Sequence, residues 1–137
     1  SNQFVAEFVG NPPINILDLS RKNDLLDFVE TFLQRNEPYY RDVCYIGLRP
    51  ETIRLTKNEA DLLEEDLHAP VKIHSIMPTG GNWIIELKAG GVKLHATTNE
   101  PPGWEIDEPL FFHVEAALIQ MFDDRSERID QIENLEQ

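Results

Sequence analysis

Cysteine is nearly absent. Cys44 stands alone, so no internal disulfide can form, and its place in an apolar strand pattern predicts a buried thiol in a reducing compartment. Bases are scarce too: 12 Lys and Arg face 25 Asp and Glu, giving a net charge of −13 and a sequence pI near 4.5. A chain of that sign repels a phosphate backbone instead of releasing its counterions, so nucleic acid is not an expected partner. No apolar run approaches the roughly 20 residues that span a bilayer as a helix. The start of the chain also lacks the basic and apolar regions of a signal peptide. Ser1-Asn2 in place of a Met reads as a remnant of tag removal, so the natural chain is expected to begin earlier.

Several chemical signatures are missing as well. The glycines at 10, 47, 80, 81, 90, 91 and 103 never precede a Lys-Ser or Lys-Thr at the spacing that cradles nucleotide phosphates. Catalysis by this chain is not expected, and neither is a bound cofactor. The four histidines, His68, His74, His95 and His113, have neither an i, i+4 pair nor a cysteine-accompanied spacing, so no metal site is expected. The acids read as a solvated face, since sequence alone pairs no carboxylates.

What remains is enough for one domain: 137 residues, of which 41% are hydrophobic. Phe4, Val5 and Phe8 form one apolar helical turn that Gly10 ends and Pro12-Pro13 prevents from resuming. Residues 14–19 read as a strand. Leu25, Leu26, Phe28, Val29, Phe32 and Leu33 make the stripe of an amphipathic helix, with Asn23 as its cap. Residues 43–48 read as a strand turned at Arg49-Pro50, because proline has no backbone donor and drives the preceding residue out of the helical region. Thr56-Lys57-Asn58-Glu59 has capping-box spacing and predicts a second helix, from about Lys57 to Asp66. That helix carries five acids and one lysine, the wrong sign for a DNA reader.

From Pro70 the period changes to two. Residues 71–76, 83–88 and 92–97 alternate between Gly-containing turns and predict a three-stranded meander, followed by a strand at 110–115. Trp83 begins a strand and is expected in the core. Trp104 follows a Pro-Pro-Gly loop and is expected at the surface, where tryptophan favours interfaces. Arg49 is expected to pair with a nearby acid and fix the bend, or else to form a contact surface with Glu51. Ile129, Ile132 and Leu135 suggest a helical tail.

Four stretches carry a resemblance. Gly47-Leu48-Arg49-Pro50-Glu51-Thr52-Ile53 is similar to the G-[IVL]-R-P-E-x-[IL] corner of the transport-associated OB (TOBE) domain. That domain follows the ATPase domain in ATP-binding subunits of sugar ABC importers of the maltose type. Phe4, Val5, Ala6, Phe8, Gly10, Pro12, Pro13 and Asn15 match the run that joins the two domains in this family. The meander layout and the ending Met121-Phe122-Asp123 also resemble it. Residues 20–42 depart from the family, as does Ser126-Glu127, near which the family often has a glycine.

The resemblance implies a mainly β, OB-like small barrel with two inserted helices. It makes residues 1–13 a leader from a missing ATPase domain and 14–137 the regulatory domain. It further implies pairing with its own copy in an ATPase dimer, permease subunits reached through the parent protein, and a surface for a regulator. Phe4, Phe8, Arg49, Glu51 and Trp104 are then the candidate contact residues. ATP and Mg would belong to the missing domain, and the parent would lie on the cytoplasmic face of the membrane. Two other readings stay open: an acidic, immunity-like partner of a basic protein, and an oxyanion-binding module, against which the surplus of acids argues.

Overall fold

In the second half of the chain every other side chain is apolar, and that alternation builds the larger of two sheets. A computed structural model describes residues 12–36 and 42–129. The strands are β1 (Asn15–Asp18), β2 (Tyr45–Leu48), β3 (Arg54–Thr56), β4 (Leu67–Pro78), β5 (Trp83–Ala89), β6 (Val92–Thr98), β7 (Pro109–Val114), β8 (Gln120–Phe122) and β9 (Arg128–Ile129). One α-helix, α1 (Leu26–Arg35), lies between β1 and β2. Five strands form an antiparallel sheet in the order β3-β7-β4-β5-β6, and four form a second in the order β1-β2-β8-β9. The architecture is the mainly β, OB-like one expected, but built as two sheets. No ladder closes β3 onto β6 among the described residues.

Both sheets and the helix share one core. Leu67, Ala69, Val71 and Ile73 of β4 point inward with Leu87 of β5, Leu94 of β6 and Phe112 of β7. Ile46 and Leu48 of β2 and Met121 of β8 supply the other wall. Helix α1 closes the core with Val29, Phe32 and Leu33 of its predicted stripe, whereas Phe28 of that stripe is exposed. Asn23 does not cap it in the ordinary way. Its carboxamide oxygen accepts from the Leu25 amide at 2.9 Å, making a turn one residue before the helix.

The predicted second helix is absent. Residues 59–61 form only a single 3-10 turn. Thr56 donates its hydroxyl to Asp61 Oδ2 at 2.5 Å and accepts from the Asn58 amide, while Asn58 Oδ1 accepts from the Ala60 amide. These short side-chain bonds close a turn that competes with helix. Asp66 is then drawn inward, where Oδ1 accepts from the Ala116 amide at 3.1 Å.

Other expectations also fail. Trp83 is only half-buried and lies outside the core cluster, and Cys44 is half-buried instead of enclosed. Both sit where a strand begins, before its inner face is covered. Ile129 pairs with Met121 as a strand residue, so the helical tail does not begin there. Residues 130–137, like Phe4 and Phe8, lie outside the described residues.

The seam between the sheets is tightly specified. Asn15, at the start of β1, is 7% exposed, and its Nδ2 donates to Leu48 O at 2.8 Å and His95 O at 3.0 Å. Its Oδ1 accepts from the His95 amide at 2.7 Å, so one side chain satisfies the outward backbone of edge strand β6. Gly47 lies opposite Gln120, and a Cβ there would fall 2.9 Å from both Ile14 Cδ1 and Phe122 Cε2.

Candidate functional site

The Arg49-Pro50 corner carries the chain from the small sheet to the large one. Pro50 is buried and begins a 3-10 turn that packs on β6, and Ile53 enters the core at 4% exposure. Beyond the corner, a cleft of about 690 Å³ opens between Glu51, Arg54 and the loop from Thr97 to Trp104. Its floor is apolar, from Ile53, Ile85 and Ala96, and its walls carry Thr97, Thr98 and Asn99. The structure thus brings two of the predicted contact residues, Glu51 and Trp104, to one cleft.

Trp104 is half-buried and packs on the core, so it is less exposed than its loop position suggests. Lys57 Nζ lies 5.8 Å from the centre of its ring and pairs with the Glu108 carboxylate. That hydrogen bond from Lys57 holds Glu108 below the usual carboxylate range, helped by the Glu105 amide, which donates to Glu108 Oε1 at 2.7 Å. Sequence reading missed Lys57 and Glu108, because their pairing joins two loops far apart in the chain.

Arg49 does not line this cleft and pairs with no acid among the described residues. With the Gln120 amide oxygen turned toward it, the guanidinium donates at 2.8 and 3.1 Å. The ladder of β2 with β8 puts Gln120 beside the corner, so a neutral amide is the group within reach. Arg49 therefore fastens the bend to the small sheet.

The histidines all fall on the outer face of the large sheet; His68, His95 and His113 alternate with buried neighbours, and His74 lies at the bulge between Ile73 and Ser75. Glu86 spans two of them: Oε1 lies 3.4 Å from His74 Nε2 and Oε2 lies 3.1 Å from His95 Nε2. Each imidazole thus meets a separate oxygen. No group of three His, Cys, Asp or Glu is placed to hold a metal ion among the described residues.

Cys44 has its thiol pushed up by partial burial and then by the nearby carboxylates of Asp124, Asp123, Asp18 and Asp42, which disfavours the nucleophilic thiolate. No described helix is long and apolar enough to cross a membrane. The cleft offers hydrogen-bonding groups over an apolar floor, an arrangement suited to recognition. Searches of protein-family models and of curated proteins find no match to the sequence.

Proposed function

We propose that the chain is the regulatory, OB-like C-terminal domain of the ATP-binding subunit of a sugar-type ABC importer, acting by binding and positioning. One observation carries this reading. Residues from three of the four resembling stretches, separated widely in sequence, meet at a single seam: Asn15 bonds to Leu48, Gly47 packs against Phe122, and Arg49 bonds to Gln120 beside Met121. In this reading the seam holds the corner, and the corner presents Glu51 and the Trp104 loop to a second copy or a regulator. ATP and Mg would be handled by the ATPase domain of the parent, on the cytoplasmic side of the membrane beside its permease subunits.

The experiment is the mass of the endogenous protein, detected with an antibody to this chain. A band far heavier than 15.8 kDa that sediments with membranes only while the permease is present is the expected result. A freely sedimenting band at 15.8 kDa overturns the reading in favour of an acidic binding partner.

A further inference from the structure

The outer face of the large sheet reverses the charge of the molecule. Lys72 of β4 lies directly opposite Lys88 of β5, and Lys88 lies directly opposite Lys93 of β6. Like charges in directly opposed positions destabilise a sheet. Acids outnumber bases by 25 to 12 in this chain, yet none of these three lysines has an ion pair among the described residues. Glu86, two residues along β5 from Lys88, is already engaged by His74 and His95.

A pocket of about 650 Å³ lies beside the row, with Lys72, Lys88 and His74 on one side. Pro70, Pro109 and Phe111 line the other, because the register sets Pro70 opposite Phe111 and Lys72 opposite Pro109. Asp107 is the one carboxylate lining it. Two lysines without an ion pair among the described residues, and one carboxylate, therefore share a space of small-molecule size with a half-buried aromatic ring.

We infer that this pocket binds a small organic anion, whose phosphate or carboxylate sits between Lys72 and Lys88 and whose apolar body lies on Phe111, Pro70 and Pro109. An inorganic ion held by exposed lysines alone gains little in water. The apolar wall supplies the remainder, and it selects an anion with an apolar body over a bare one. The inference concerns a different pocket from the Glu51–Trp104 cleft and stands whether or not the chain belongs to a transporter.

The test is a titration of the ¹⁵N-labelled chain with phenyl phosphate, inorganic phosphate and benzyl alcohol, followed by amide shifts. Phenyl phosphate is expected to give saturable shifts at Lys72, Lys88 and Phe111, with affinity at least about tenfold above either of the other probes, weakening as salt is raised. The double variant Lys72→Gln/Lys88→Gln should lose at least about tenfold in affinity, while Arg125→Gln, in the turn between β8 and β9, should keep the wild-type value. Lys72 and Arg125 are exposed and Lys88 is half-buried, and an unaltered spectrum elsewhere checks the fold. The inference is overturned by any of three results: no saturable shift at these residues, equal affinity in the double variant, or inorganic phosphate binding as tightly as phenyl phosphate.

Discussion

Gly47 has room for a hydrogen and for little else. A methyl group there would press on Ile14 Cδ1 and Phe122 Cε2, both at 2.9 Å, and neither can retreat without disturbing the seam. Gly47→Ala is expected to lower stability by about 1–3 kcal/mol, read from the midpoint of urea unfolding. His113 acts through protons. Burial holds its imidazole below the ordinary value; Asp66 and Asp61 oppose that shift, and Arg54 and His68 add to it. The unfolded chain therefore takes up a proton near pH 6.5, while the folded chain waits for a lower pH. Between those two values the unfolded state holds more protons, so stability is complete above the window and declines as pH falls through it. His113→Gln should flatten that decline, as measured by urea unfolding at several pH values from about 7 to 5.

Elements were readable where a period runs long enough. The alternation of β4, β5, β6 and β7 and the stripe of α1 stand out because each buries one face against the shared core. The Thr56–Glu59 spacing misled because a capping box and a side-chain turn use the same residue types, and Thr56, Asn58 and Asp61 bond to one another before a helix can propagate. Strands β8 and β9 are 3 and 2 residues long, too short to show a period at all. Glu51 and Trp104, singled out from the corner and the Pro-Pro-Gly loop, both line the cleft, though Trp104 packs on the core more than its loop suggested. The Lys57–Glu108 pair was not, since nothing local marks two loops that meet only in the fold. The turn joining β8 to β9 holds one residue in an unfavoured backbone conformation. Ser126 takes φ of 63°, the left-handed conformation that glycine favours, while Asp123 Oδ1 accepts from the Arg125 and Glu127 amides at 2.9 Å. Ser126→Gly is expected to raise stability by up to about 1 kcal/mol, checked by thermal melting.

The two sheets behave as one molecule because a few polar contacts align them over the shared core. Asn15 is the chief of these. Asn15→Ala leaves the His95 amide and carbonyl without their partner at the sheet edge, and is expected to cost roughly 1–3 kcal/mol. Hydrogen exchange at the His95 amide should quicken more than exchange deep in β4. The order of strands has a temporal side. All five strands of the large sheet lie in one continuous stretch, from Arg54 to Val114, whereas the small sheet takes β1 and β2 from before it and β8 and β9 from after it. On a ribosome the large sheet can assemble while β8 and β9 are still inside the exit tunnel. Through that interval β1 and β2 have emerged while the other half of their sheet is still enclosed, and the small sheet closes only once β8 and β9 emerge.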